Sequence, residues 1–274
     1  MRGLLVTGTD TGVGKTVVAC ALAADLVRRG LKIAVWKPVE TGWDSSPEAM
    51  SDAARLRRAA GSAEQLETIC PYRLRGALAP AVAARLEGVS IDVGHLAKLC
   101  RERQASSELL IAEGAGGLMV PIVGRTTYAD IARDLGLSLL IVAPNRLGVI
   151  NHTALTARVA GVEGLQAIGF VLNNGAEGRT LSQPTSSARG AADTESAPTR
   201  GSQNRAGAAL PRPVIQGAFV VDPSTTTNRS GIGELTGLPC LGEIPYEPGA
   251  ADEPERVSAY LDVSGILAAL TSGI

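Results

Sequence analysis

Val6-Thr7-Gly8-Thr9-Asp10-Thr11-Gly12-Val13-Gly14-Lys15-Thr16 is the stretch that decides the fold. Arg2 to Thr7 leads into it as a short buried strand. An Ala/Leu/Val-rich helix over residues 16–29 follows, with Gly30 as its stop signal. A strand, a glycine loop, Lys-Thr and a helix together make a phosphate cradle, because backbone N–H groups and a helix N-terminus face an anion. Lys15 adds a positive charge toward the β/γ-phosphates, and the Thr16 hydroxyl is placed to bind Mg2+. The strict GxxxxGK[ST] pattern is not met. Thr9 stands where its first glycine belongs, and Gly8 comes one place early.

Outward from this loop, strands and helices alternate. Leu31 to Trp36 is a second buried strand, and it delivers Lys37-Pro38-Val39-Glu40-Thr41-Gly42 to its C-terminal end. Ser51-Asp52 opens a helix over about 52–60. Residues 64–90 are harder to read, with a short helix over Ala77 to Glu87 interrupted near Pro80. Ile91 to Gln104 is a helix with Asp92 as its N-cap. A strand over 108–112 runs into Glu113-Gly114-Ala115-Gly116-Gly117. Further helices fall at 128–135 and 149–162, and further strands at 138–143 and 165–172, the last ending in Asn173-Asn174. The alternation predicts an α/β fold: a doubly wound, mainly parallel sheet with helices on both faces.

The pattern stops at about 175–217, a Gly/Ala/Ser/Thr/Pro/Arg stretch without aromatics. Such a segment buries too little apolar surface to offset its ordering entropy, so it is expected to be a disordered surface insertion in a single domain spanning 1–274. A functional lid is the other reading of this segment. A strand at 217–221, a helix at 228–235, a strand at 240–244 and a closing helix at 254–270 complete the chain.

Composition sets bounds. A chain of 274 residues, 45% hydrophobic and 19% charged, buries a sizeable core, and aromatics at 3% leave that core to Ala, Val, Leu and Ile. A net charge of −1 makes no electrostatic case for nucleic acid or an anionic membrane. Cys20, Cys70, Cys100 and Cys240 are too scattered for a zinc site. Met1-Arg2-Gly3 does not resemble a signal peptide, and no apolar run is long enough to span a membrane, so a cytoplasmic protein is expected.

Four strand-end loops converge in such a sheet: Thr11 to Thr16, Lys37 to Thr41, Glu113 to Gly117, and Asn173-Asn174. Thr16, Asp52 and Glu113 offer an oxygen shell of the kind Mg2+ takes beside a nucleotide. Asp52 fits a helix N-cap as well, and spacing leaves both roles open. Lys37 at a strand end would join Lys15 in offsetting charge on a transferring phosphoryl group, a snorkelling surface lysine being the bland alternative. His95 and His152 are isolated and are not expected to act as catalytic bases.

With Val6 to Thr16, Lys37 to Gly42, Glu113 to Gly117, Leu147-Gly148-Val149-Ile150-Asn151-His152 and Leu241 to Tyr246, the chain resembles the dethiobiotin synthetases, a family of P-loop NTPases. The resemblance implies an ATP-dependent cyclo-ligase of biotin synthesis that joins 7,8-diaminononanoate and CO2 into a cyclic urea, with Mg2+ accompanying ATP. It makes Lys37 and Lys15 the catalytic lysines, and Thr16, Asp52 and Glu113 the magnesium ligands. It assigns nucleotide contacts to Gly12, Val13, Gly14, Lys15, Thr16, Val17, Asp52, Glu113, Gly114, Ala115 and Gly116. The same contacts extend to the base-reading pair Asn173 and Asn174 and to Pro245, Tyr246 and Glu247. Substrate contacts fall to Thr11 and Thr41, and to Leu147, Gly148 and Asn151 reaching in from the other subunit of a homodimer. The P-loop then holds nucleotide on one side and presents Thr11 to the diamine on the other. A Lys37→Ala change is expected to abolish turnover and leave the fold intact. The alternative is a nucleotide-switch ATPase that binds a protein partner. Such proteins usually carry an earlier lysine, in Lys-Gly-Gly-x-Gly-Lys-Thr, where this chain has Asp10 and Thr11. An amidoligase with a glutaminase domain would need more chain than remains.

Overall fold

A computed structural model describes residues 2–43, 48–175, 179–181, 215–216 and 219–272. Its centre is a six-stranded sheet of β1 (Arg2–Gly8), β2 (Ile33–Trp36), β3 (Leu109–Gly117), β4 (Ser138–Pro144), β5 (Ala167–Asn173) and β6 (Cys240–Ile244), in the order β6-β5-β4-β1-β3-β2. Every pairing in it is parallel. Parallel sheets need both faces covered, hence the continuous apolar runs of β1, β3 and β4. Side chains alternate between the faces. Leu4 and Val6 join a core with the helix α1 (Lys15–Arg28) and the helix α2 (Asp52–Ala59), whereas Leu5 faces the opposite core with Leu96, Leu110 and Ala129. The expected doubly wound architecture is therefore present. β1 lies between β3 and β4, so the chain leaves it in both directions, and the crevice at the C-terminal strand ends opens beside its loop.

Several boundaries differ from expectation for identifiable reasons. Glu113 to Gly117 continues β3 instead of forming a loop, because Gly117 still pairs with Gly8. Val39–Thr41 is a strand paired in parallel with Tyr72–Leu74, a contact between segments with no local signature. Leu66–Ile69 (α3) is a short helix. Pro80 opens the helix α4 (Pro80–Glu87) and does not interrupt one begun at Ala77, since its missing N–H costs nothing in a first turn. Asp92 caps α5 (Val93–Ser106) as expected, accepting the His95 N–H at 3.1 Å. Thr127 and Asp130 form a reciprocal capping box on α6 (Tyr128–Asp134), and Gly148 precedes α7 (Val149–Val162). After α8 (Asn228–Thr236), the closing helix is two: α9 (Glu255–Ser258) and α10 (Val263–Ser272). The break arises because the Asp262 N–H donates to the Leu241 carbonyl of β6 at 2.8 Å, and Leu261 bridges to Gly242. Most of the 175–217 insertion, with the disorder expected of it, lies outside the described residues, as do Gly217 and Ala218. Arg179–Leu181, Ile215–Gln216 and Phe219–Val221 form a small antiparallel sheet.

Candidate active site

Gly14 shapes the cradle. Its φ is +95°, and a Cβ there would lie 2.0 Å from Asn173 Nδ2. Only glycine tolerates that backbone with so close a neighbour. It precedes α1 without any side-chain cap, which leaves first-turn N–H groups pointing into the loop. Lys15 Nζ curls back to the Asp10 carbonyl at 3.1 Å, and burial, helped by the charge of Lys37, lowers its pKa.

Beneath the loop sits a buried charge cluster. Lys37 is 2% exposed and Glu113 fully buried. Lys37 Nζ donates to Glu113 Oε1 at 2.7 Å, to Asp52 Oδ2 at 2.9 Å and to the Gly114 carbonyl at 3.3 Å. Thr16 Oγ1 lies 2.9 Å from Asp52 Oδ1 and 2.8 Å from Glu113 Oε1, so its one proton serves one carboxylate at a time. Burial alone would pull the Lys37 ammonium down, but the Asp52 and Glu113 charges hold it well above the ordinary lysine value. Burial pushes Asp52 up, yet Lys37 and the Thr16 hydroxyl bring it below the usual range. For Glu113 burial wins over Lys37, and its carboxyl sits above the usual range. The snorkelling reading of Lys37 is thereby excluded. The N-cap reading of Asp52 also fails: Ser51 is the cap, accepting the Ala54 N–H at 3.2 Å, and Asp52 is the first helical residue with its carboxylate in the cluster.

The donor set suits Mg2+. Thr16, Asp52 and Glu113 present only oxygen atoms, and Glu113 Oε2 is buried without a hydrogen-bond partner. Two carboxylates and a hydroxyl beside a phosphate cradle are what a phosphate-bound magnesium takes.

A cleft of about 550 Å³ brings together Thr11, Gly12, Gly14, Lys15, Thr16 and Val17 with Lys37, Thr41, Asp52, Glu113, Ala115 and Gly116. Val13 and Gly114 serve it through their carbonyls, which accept from Asn173 and Lys37. A second cleft of about 450 Å³ lies across the loop, between Gly8 to Thr11, Gly117 to Pro121 and the face of α7 bearing Leu155. Thr11 lines both clefts.

The other expected residues lie off the first cleft. Asn173 Nδ2 donates to the Val13 carbonyl at 3.1 Å, which sets it against the cradle. Asn174 Nδ2 donates to the Ile244 carbonyl at 3.0 Å, drawing the ends of β5 and β6 together. Pro245, Tyr246 and Glu247 follow β6, and Glu247 accepts from Arg256 at 3.0 Å. Leu147, 80% exposed, and the exposed Asn151 flank Gly148 at the start of α7 and face outward. His95 and His152 are exposed and outside both clefts.

Some contributors went unforeseen. Arg55 lines the first cleft and donates to Asp252 at 3.0 and 3.1 Å, and Ala251 and the Ala77 to Pro80 segment complete the wall. Arg55 follows Asp52 at i+3, a same-face spacing that was the available signal. Asn145, 2% exposed, gathers Asn174, Glu243 and the Thr225 carbonyl around its amide nitrogen and accepts from Asn228. Glu40 has its carboxylate on the backbone of α2. Nothing local marks Asn145 or Ala251.

The chain matches the sequence pattern of a family described as an AAA domain over residues 2–253. It is 49% identical over 177 residues to an ATP-dependent dethiobiotin synthetase BioD of Anaeromyxobacter sp. (strain Fw109-5), covering 65% of this chain and 78% of that one. The corresponding protein of Aquifex aeolicus (strain VF5) is 43% identical, covering 66% and 80%. That of Thermodesulfovibrio yellowstonii is 29% identical over 253 residues, covering 89% and 88%. Among solved structures, the MinC:MinD cell division protein complex of Aquifex aeolicus superposes with a TM-score of 0.51 at 14% identity, covering 98% and 96%, a likeness of fold alone.

Proposed function

The chain belongs to the ATP-dependent dethiobiotin synthetase family and is an ATP-dependent cyclo-ligase, and from that premise we propose how its residues divide the work. The substrates are 7,8-diaminononanoate, CO2 and MgATP. One amine takes up CO2 as a carbamate. A carbamate oxygen attacks the γ-phosphorus and ADP leaves, giving a carbamic–phosphoric anhydride. The second amine then attacks the carbonyl carbon, the ring closes and phosphate departs.

The observation that carries this assignment is the Lys37 ammonium, buried between two carboxylates on the wall of the first cleft. The polyphosphate takes the first cleft, with its oxygens on the free N–H groups around Gly12 to Val17 and on Lys15. Lys37 stabilises charge on the carbamate and the transferring phosphoryl group. Such transfer depends mainly on positioning and electrostatics, and a charge held by two fixed partners needs no reorganisation at the moment of reaction. Thr16, Asp52 and Glu113 would hold Mg2+, which when bound neutralises charge on the β- and γ-phosphates. The diamine chain takes the second, more apolar cleft, with its reactive end passing Thr11 into the first cleft toward Thr41. Asn173 and Asn174 receive the base, with Pro245 to Glu247 beside it. Leu147, Gly148 and Asn151 face outward, as residues serving a neighbouring subunit must, so a homodimer completes the diamine site. Among the described residues no helix is long and apolar enough to cross a membrane. We infer a cytoplasmic setting from the use of ATP as co-substrate. The switch-ATPase alternative retains only the likeness of fold.

Incubation with diaminononanoate, bicarbonate and MgATP should yield the cyclic urea, detected by mass spectrometry. Absence of product under conditions where an ATP analogue still binds would overturn the assignment. Light scattering of the purified protein at the dimer mass tests the shared diamine site.

A further inference from the structure

We propose that Glu40 is a positioning residue for phosphoryl transfer, holding the N-terminus of α2 so that Asp52 meets Thr16 and Lys37. Its side chain belongs to the strand next to Lys37, yet it reaches another element. The residue is 4% exposed. Its Oε1 accepts the Asp52 N–H at 2.6 Å, and its Oε2 lies 3.4 Å from the Ala53 nitrogen as acceptor. First-turn N–H groups of a helix have no partner within the helix. Ser51 takes the third of them, from Ala54, so the cap is built partly from the residue before α2 and partly from the strand Val39–Thr41.

Asp52 is thereby gripped twice from the segment Lys37 to Thr41. Lys37 holds its carboxylate at 2.9 Å and Glu40 its backbone at 2.6 Å. A cap alone does not require a buried charge, and this one sits beside the Asp52 carboxylate, an unfavourable neighbour. Burial and Asp52 together push the Glu40 carboxyl above the usual range. The positive end of α2 and the nearby Lys37 offset that cost. What a carboxylate gains over a hydroxyl is shape: two oxygens span two successive N–H groups and fix both the axial position and the rotation of the first turn. Rotation of that turn would carry Asp52 away from Thr16.

The inference rests on the assignment of Asp52 to the magnesium shell. The test uses Mn2+ in place of Mg2+, with a non-hydrolysable ATP analogue bound, and reads its affinity by electron paramagnetic resonance. In parallel, kcat and the diamine KM are measured. Glu40→Ala should weaken Mn2+ binding and lower kcat, each by about tenfold, a modest part of what a misplacement of about 1 Å can cost. The diamine KM should stay unchanged. Glu40→Gln keeps the one acceptor needed for the short Asp52 N–H bond and should recover part of both losses, falling short of wild type because the Ala53 N–H is left without its oxygen. Wild-type Mn2+ affinity in Glu40→Ala, or no recovery in Glu40→Gln, overturns the role of Glu40. Should Glu40→Ala fail to fold, Glu40→Asp carries the test: its shorter arm keeps the charge and loses the reach, so weakened Mn2+ binding supports the proposal and wild-type affinity overturns it. Asp52→Asn separates the premise, since unchanged Mn2+ affinity in that variant removes the Asp52 assignment itself.

Discussion

Replacing Lys37 with alanine tests the buried cluster most directly, and the structure changes what is expected of it. From the sequence alone the variant should lose turnover and keep its fold. Yet Lys37 is 2% exposed, and its ammonium is the shared partner of Glu113 at 2.7 Å and Asp52 at 2.9 Å. Removing one member of a buried ion pair costs about 3–5 kcal/mol, because the charge left behind is uncompensated. At about 2–4 °C per kcal/mol for a chain of this size, the thermal midpoint should fall by about 10 °C. The loss should depend on pH. Burial already raises the Glu113 carboxyl, and without Lys37 it rises further. A carboxyl raised in the folded state adds stability below its unfolded value of about 4.3, and this is lost as pH rises through the folded value. The deficit in Lys37→Ala should therefore be larger near about pH 8 than near about pH 5. Adding Glu113→Gln removes the stranded charge and should restore much of the midpoint and none of the turnover. Differential scanning fluorimetry over that pH range is the assay. A Lys37→Ala midpoint equal to wild type at the alkaline end, or a double variant no more stable than the single one, would refute the reasoning.

Three other perturbations follow from particular contacts. Gly14→Ala places a methyl group 2.0 Å from Asn173 Nδ2 at a φ of +95°, so strain of about 1–3 kcal/mol and loss of nucleotide binding are expected; wild-type analogue affinity by calorimetry would contradict this. Asp252→Asn weakens the clamp on Arg55 and should raise the KM for ATP without changing that for the diamine. Arg55 holds the Asp252 carboxyl low, so its contribution to stability is present above about 3.9 and disappears as pH falls through the lower folded value. The midpoint gap between wild type and Asp252→Asn should close in acid, and a gap that persists there speaks against the clamp. Asn145→Ala leaves the Asn174 and Glu243 oxygens and the Asn228 amide without this partner, at about 1–3 kcal/mol, and should raise the KM for ATP; an unchanged midpoint would remove the network's importance.

What the amino-acid sequence determined by itself was whatever is written in neighbouring residues. Continuous apolar runs at Leu4 to Val6, Leu109 to Ala112 and Leu139 to Ala143 dictate buried parallel strands, since alternate residues must satisfy opposite cores. The glycines, Lys15 and Thr16 dictate a phosphate cradle, because its chemistry is local to one loop and one helix end. Lys37, Asp52 and Glu113 could be named because each is a charged residue at the end of an apolar run or the start of a helix. What stood between two roles, as Asp52 did, was decided only when Ser51 took the cap and freed the carboxylate. Tertiary structure alone decided the contacts between distant segments. Arg55 and Asp252 are 197 residues apart, and Asn145 collects partners from Asn174 just past β5, from β6 and from α8. The break between α9 and α10 depends on a carbonyl of β6, and the capping of α2 by Glu40 on a strand whose partner is Tyr72–Leu74. Hydrogen bonds and ion pairs of this kind leave no periodicity in either segment, because neither partner specifies the other until the sheet has brought the strand ends together.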